Sequence, residues 1–434
     1  MSDARAIPFG RLARLARLGA LASGVARGVL SEGARQLAQG KRPVLGQLVL
    51  TPANARRVAD QLSQLRGAAM KVGQLLSMDA GELLPPELSQ ILARLRNDAR
   101  PMPMSQLVAV LNAEWGEGWE KHFPRFSFTP MAAASIGQVH AATTVDGRRL
   151  AIKVQYPGVR ESIDCDVDNV ATLLRLSGLL PSGLALAPLL DEAKRQLHLE
   201  ADYVCEAEHL ASFGALLAGR GGVALPEVDP EFTRPGILAM SYLDGEPIES
   251  LAAAPQPVRD DVAARLFALM FEELLVFRRV QTDPNFANYR FDAPSGRVVL
   301  LDFGAVRAYG TATAEAYLRL MRAARRANRA GVEAAACDIG YFKADIAAHH
   351  RQAVVELFMT ASEPLRHDGP YDFGQTTLLT RISELGMALG RDRSFWHTPP
   401  VDALFLHRKL GGLYLLASRL KARVDFGELF APYQ

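Results

Sequence analysis

The chain is poor in cysteine, in aromatic rings and in net charge, and it has no long apolar run. Its three cysteines, Cys165, Cys205 and Cys337, lie far apart and form no CxxC pair. A disulfide framework and a cysteine-built zinc site are therefore not suggested, and three reduced thiols are the simpler reading. Basic residues number 49 and acidic residues 47, a net charge of +2, so the overall balance gives no electrostatic reason to expect nucleic acid as a partner. No uninterrupted apolar stretch approaches the roughly 20 residues that a membrane helix needs. Internal repeats and low-complexity segments are also lacking. What is present is 434 residues with 49% apolar content, ample for one large or two ordinary globular domains.

Arg11, Arg14 and Arg17 recur every third residue, interleaved with Leu12, Leu15 and Leu18, and an apolar or small stretch then runs to Ala26. This reads as a basic amphipathic helix suited to a membrane surface or to a homodimer contact, with Gly24 and Gly28 as a GxxxG pair. A short signal peptide with Ala20-Leu21-Ala22 as its cleavage site is the weaker reading, and a solvated helix packed on its own domain the plain one. Residues 50–100 read as helices punctuated by Pro52 and Pro85-Pro86. A turn-rich stretch through Pro101, Pro103, Pro124 and Pro130 precedes strand-like runs at 135–140, 149–156 and 236–243. Helical periodicity spans 258–277, and residues 292–296 have the composition of a hairpin turn. From Thr311 the chain reads almost wholly helical, so the order of elements predicts a two-lobed α+β protein.

The motifs agree with that order. Leu300-Leu301-Asp302-Phe303-Gly304 ends an apolar strand on a carboxylate and a glycine turn, a placement that suits a magnesium ion bridging ATP phosphates. Nineteen residues earlier, Asp283 and Asn288 in Gln281-Thr282-Asp283-Pro284-Asn285-Phe286-Ala287-Asn288 have the Asp-x-x-x-x-Asn spacing of a kinase catalytic loop, with Gln281 and Thr282 in place of the usual His and Arg. Upstream, Leu150-Ala151-Ile152-Lys153 places a lysine in an apolar strand, where it needs an anion. Before it, Ala132-Ala133-Ala134-Ser135-Ile136-Gly137 occupies the position of a phosphate-covering glycine loop, with methyl groups that restrict close backbone approach. A helical pattern starting near Ala187 carries Glu200, Asp202 and Glu206. Asp202 and Glu206 are expected on one face, with Glu206 as the partner of Lys153. Met240 to Leu243, followed by Asp244, is the expected hinge, touching adenine through backbone groups. Each motif alone is weak, since a DFG ends many turns and an acidic helix face is usually solvated. Their shared order is what argues for ATP chemistry.

At this point the sequence resembles the UbiB/AarF atypical kinase-like proteins, most closely the coenzyme Q-supporting members of mitochondria and proteobacteria. Lys71-Val72-Gly73-Gln74 matches the family's KxGQ signature, and the alanine-rich loop, Glu200-x-Asp202, Gln281 to Asn288 and Leu406-His407-Arg408-Lys409-Leu410-Gly411-Gly412 match as well. The resemblance implies a bilobal kinase-like α+β fold with a small mixed N-lobe sheet, a helical C-lobe and an N-terminal helical KxGQ extension. The implied boundaries are 1–45 for the basic segment, 46–125 for the extension, 126–248 for the N-lobe and hinge, and 249–434 for the C-lobe. It implies ATP and Mg2+ as cofactors, with ATPase or small-molecule phosphotransfer supporting ubiquinone biosynthesis. Lys153 with Glu206 would hold phosphates, Asn288 and Asp302 would bind metal, and Asp283 would act as base or water orienter. Ala132, Ala133, Ala134, Ser135, Ser241, Tyr242, Leu243 and Asp244 would contact nucleotide, and Lys71, Gln74, Glu200 and Asp202 would cap the site. Quinone-precursor lipids and ubiquinone-biosynthesis enzymes are the implied partners. The expected location is cytoplasmic, peripheral at the inner face of the membrane, and no nucleic acid is expected. A nucleotide-driven scaffold or lipid-extracting module is the alternative. An ordinary protein kinase is disfavoured because no Ala-Pro-Glu follows the DFG. The kinase-like reading requires Lys153 and Asp302 to reach one shared ligand. Outside these motifs, Arg319 to Arg329 reads as a solvated basic face, and His349-His350 as a surface pair.

Overall fold

The computed structural model describes residues 67–69, 71–73, 101–134, 136–177, 186–342, 346–391 and 399–434. The 1–45 segment, Gln74 and Ser135 lie outside the described residues. The chain divides into two compact units, Met1–Glu208 with Glu227–Tyr242, and His209–Pro226 with Leu243–Gln434.

The first unit is built on an antiparallel sheet in the spatial order Arg125–Phe126, Gly137–Thr143, Arg149–Gln155, Ile237–Ser241, with Ala132–Ala133 also paired to Gly137–Thr143. Alternation along the strand sends Leu150, Ile152 and Val154 into a core with Leu107, Leu111, Trp119, Phe123 and Phe232. The intervening Ala151, Lys153 and Gln155 are buried as well. On that second face the Gln155 amide donates to the Ala201 carbonyl at 2.7 Å. A lysine on a strand buried on both sides has to find its counter-charge inside the protein.

The expected helix through Glu206 is interrupted. Two helices, Leu186–Glu200 and Tyr203–Leu216, are separated at Ala201 and Asp202. The Asp202 carboxylate accepts from the Cys205 amide at 3.1 Å, and its carbonyl accepts from the Glu206 amide at 3.0 Å. A short acidic side chain that satisfies the first free amides of a new helix competes with continuation of the old one. Asp202 and Glu206 therefore do not share a helix face.

The second unit holds four strands in the order Val223–Ala224, Arg297–Leu300, Tyr289–Asp292, Glu246–Pro247; the first pairing is parallel and the other two antiparallel. Gly296 closes the central hairpin at φ 66°, its amide donating to Asp292 at 2.8 Å. That left-handed position is one glycine adopts without strain. A second ribbon pairs Arg279–Gln281 with Val306–Ala308. The helix Gln256–Glu272 widens into a π turn at Glu273–Phe277, and Thr311–Arg325, Arg329–Ile339, Ala348–Ala361, Leu378–Arg391 and Val401–Leu420 follow. Leu274, Val280, Tyr317, Leu320, Tyr341, Phe358 and Leu406 share their core. Among the described residues the helical stretch is broken by one ribbon, Tyr371–Asp372 with Arg423–Val424. His350 is buried rather than superficial, because it lies four and eight residues before Val354 and Phe358 on the same helix stripe. Among the described residues no helix is long and apolar enough to cross a membrane.

Candidate functional site

In the first unit, Lys153 stands on the Arg149–Gln155 strand between Val139 and Leu238 of its neighbours. Its ammonium donates to both Glu206 oxygens at 2.8 Å, with the side chains 9% and 2% exposed. The Tyr203 ring lies 5.1 Å from the same nitrogen. A buried, two-point ion pair of this kind fixes the lysine head, since losing either partner strands a charge in a low-dielectric site. Lys71 is also buried and is hydrogen-bonded to Glu200, whereas Asp202 serves as a helix cap and lies 3.7 Å from Arg160. The structure thus brings Lys71 to Glu200 and directs Asp202 elsewhere.

The alanine-rich segment is a tight hairpin. Ala132 and Ala133 pair with Val139 and Gln138, and the Ala134 amide donates to the Gly137 carbonyl at 2.9 Å. A methyl group on Gly137 would sit 2.4 Å from the Val154 carbonyl oxygen and 2.8 Å from the Tyr203 hydroxyl. Gly137 is thus needed for close strand packing. At the expected hinge, the Ser241 amide donates to Glu227 and the Tyr242 amide to Arg149, while the Arg149 guanidinium lies 4.3 Å over the Tyr242 ring. Those two amides are already committed within the unit, so any adenine contact from them falls to their carbonyls. Leu243 and Asp244 belong to the second unit.

In the second unit the loop and the DFG turn are tied together. Asp283 accepts from the Asn288 amide at 3.0 Å on Oδ2 and from Arg408 at 2.8 Å on Oδ1. The Gln281 amide nitrogen donates to the main-chain carbonyls of Asp283 at 2.9 Å and Asp302 at 3.3 Å. The Asp302 carboxylate accepts from the Gly304 amide at 3.0 Å, and Leu301 donates its amide to the Asn288 carbonyl at 3.0 Å. Behind this cluster, Lys409 donates to Gln281 Oε1 and to the Tyr289 hydroxyl, both at 3.1 Å, and lies 3.6 Å from Glu273. Burial pushes the Glu273 carboxyl up to about 7, and Lys409 opposes that rise. Burial would lower the Lys409 ammonium, but Glu273 and Tyr289 outweigh it and hold the group above its ordinary value.

Arg408 and Lys409 belong to the C-terminal motif quoted above, which carried no role for them, and Glu273 is the addition that motif reading misses. Arg408 and Lys409 lie far along the chain on the Val401–Leu420 helix, where Leu406, Lys409 and Leu413 fall on one buried stripe. A lysine on an apolar stripe is the signal that points to a hidden counter-charge. The helix reaches the loop because Gly412 has no side chain: a methyl group there would sit 2.3 Å from Pro284.

The DFG turn, the Asp-x-x-x-x-Asn loop and the paired strand lysine lie in chain order inside the span matched by one family model. That model, the ABC1 atypical kinase-like domain, matches residues 94–336. The chain belongs to this family. Similar full-length proteins extend the match well beyond the domain. The chain is 37% identical to the Saccharomyces cerevisiae protein "Atypical kinase COQ8, mitochondrial" over 427 residues, 98% of this chain and 85% of that one. It is also 37% identical to the Rattus norvegicus protein "Atypical kinase COQ8B, mitochondrial" over 436 residues, 99% of this chain and 81% of that one. Among solved structures, "The complex structure of Rv3197-erythromycin from Mycobacterium tuberculosis" aligns with a TM-score of 0.61 at 23% identity, covering 94% of this chain and 97% of that chain. That likeness supports the shared fold. The chain is therefore an α+β protein of kinase-like fold and an atypical kinase by family.

The oxygen donors of the second unit suit magnesium. Asn288 gives its amide nitrogen to Asp283, which turns its amide oxygen away from that carboxylate. With the Asp302 carboxylate this makes two hard oxygen donors, and magnesium commonly takes only one or two protein ligands, completing its shell with water and phosphate oxygens.

Proposed function

We propose that this chain is a magnesium-dependent ATPase or phosphotransferase that acts on a small or lipid-like acceptor and supports ubiquinone biosynthesis. The observation that carries the reading is the clasp around Asp283 and Asp302, in which Gln281 holds both main chains and Arg408 and Asn288 hold the Asp283 carboxylate. Fixing charged groups before reaction is what phosphoryl transfer demands of a protein. In this reading Lys153, steadied by Glu206, takes phosphate oxygens, Asn288 and Asp302 hold magnesium, and Asp283 orients the attacking hydroxyl or water. Bound magnesium would neutralise charge on the phosphates.

A small or lipid-like acceptor is favoured over a peptide. Only residues 305–310 separate the DFG glycine from the Thr311–Arg325 helix, and three of them are paired to Arg279–Gln281. That leaves little chain for a peptide-docking segment. The COQ8 relatives are named as mitochondrial atypical kinases, which supports the quinone context. The basic 1–45 segment, outside the described residues, supports attachment at a membrane surface. The second reading, a nucleotide-driven lipid-extracting module, draws on the alanine hairpin and the Lys71–Glu200 pair.

Asp302→Asn is expected to abolish Mg-ATP turnover, and unchanged ATP hydrolysis in that variant would remove Asp302 from the reading. In a strain lacking the gene, quinone profiling should show loss of ubiquinone or build-up of its precursors. Rescue by wild type but not by Asp283→Asn is expected; full rescue by Asp283→Asn would make the chemistry dispensable.

A further inference from the structure

Glu273 has no exposed surface, and among the described residues its carboxylate oxygens meet no donor at ordinary hydrogen-bond geometry; the Lys409 ammonium and the Gln281 main-chain amide are the donors that ease its charge. Its nearest opposite charge is the Lys409 ammonium at 3.6 Å, itself 3% exposed. Glu273 begins the π turn Glu273–Phe277, an irregularity that often marks a functional requirement within a helix. A fully buried carboxyl facing a buried lysine is costly to keep for stability alone, and an apolar pair of similar volume would often do as well. Their reward lies on the other side of the ammonium. A lysine only donates, so it draws the carbonyl oxygen of the Gln281 amide toward itself. The Gln281 nitrogen then has one orientation left, and in it donates to both the Asp283 and Asp302 carbonyls.

We propose that Lys409 and Gln281 form a positioning unit for the phosphoryl site, in which Lys409, anchored by Glu273, sets the Gln281 amide so that it locks the spacing between the Asp283 and Asp302 main chains. This rests on the phosphoryl-chemistry reading above. Neither residue touches the reacting groups. Lys409 acts through Gln281, and Gln281 acts through the two main chains. Without the clasp, the metal-holding carboxylate and the orienting carboxylate would drift apart by fractions of an ångström, enough to spoil an in-line geometry.

Gln281→Glu tests the idea in the full-length protein. The carboxylate keeps a partner for Lys409 but sets an acceptor against two carbonyl oxygens. Turnover of Mg-ATP should fall about tenfold to a hundredfold. The magnesium concentration for half-maximal rate should rise by about fivefold or more, while the thermal midpoint stays within about 2 °C of wild type. Lys409→Met combined with Glu273→Gln, which removes the buried charges together, should reproduce both kinetic changes. Wild-type turnover and magnesium response in Gln281→Glu would overturn the proposal. So would a fall in thermal midpoint large enough to explain the lost activity in both variants, which would assign the cluster to folding alone. Asp302→Asn is run beside them: if it retains turnover, the phosphoryl reading fails, and if it is inactive while Gln281→Glu is fully active, only the positioning unit fails.

Discussion

At the scale of single residues, burial decides which side chains set the behaviour of the site. Glu273 is displaced upward to about 7 by desolvation, against an ordinary value of 4.5. Between those values the folded protein holds a proton that the unfolded chain releases. Stability from this group is therefore full below about pH 4.5 and declines as pH rises toward about 7. Urea unfolding of wild type and Glu273→Gln across that window should show the stability advantage of wild type shrinking by about 1–3 kcal/mol as pH rises, because the opposing contribution of His407 is common to both proteins. A slope equal in both proteins would show that Glu273 is ionised throughout. Lys153 is a different case. Its two-point contact with Glu206 leaves neither charge to solvent, so the carboxylate holds the Lys153 ammonium at a fixed place on the strand.

At the scale of elements, the Val401–Leu420 helix carries three successive polar residues into three separate environments. His407 meets the Tyr341 hydroxyl at 2.6 Å and is held neutral, pushed down to about 4 by burial. Arg408 reaches Asp283, and Lys409 reaches Gln281. Steps of about 100° per residue make this division possible. The approach depends on Gly412 against Pro284. Gly412→Ala is expected to favour the isolated helix by about 1 kcal/mol, yet to cost activity by driving helix and loop apart. ATP hydrolysis measured beside thermal unfolding checks this, and full activity would show that the loop yields. At this scale the sequence was partly legible. The hairpin at 292–296 and the strand bearing Lys153 follow from local composition and alternation, whereas the break at Ala201–Asp202 depends on a cap that outcompetes helical periodicity.

At the scale of the whole molecule, the family match and the kinase-like fold account for why so short a list of motifs is informative. Lys153, Glu206, Asp283, Asn288 and Asp302 can be named from their order because the lysine strand, acidic helix, loop and DFG turn follow one another along the chain. The acceptor has no such linear signature, and the test for it is the quinone profile with the Asp283→Asn rescue rather than any single contact.

The sequence alone determined the succession of elements, the kinase-like family and the residues proposed for ATP chemistry, since alternation, glycine turns and motif spacing are local properties of the chain. Only the tertiary structure decided that Lys409 and Glu273 share one buried site, that Arg408 closes on Asp283, and that Asp202 ends one helix and begins another. The first two join residues separated by more than a hundred positions, where no period or spacing carries information. The third turns on a balance between two competing sets of hydrogen bonds, which only the folded backbone resolves.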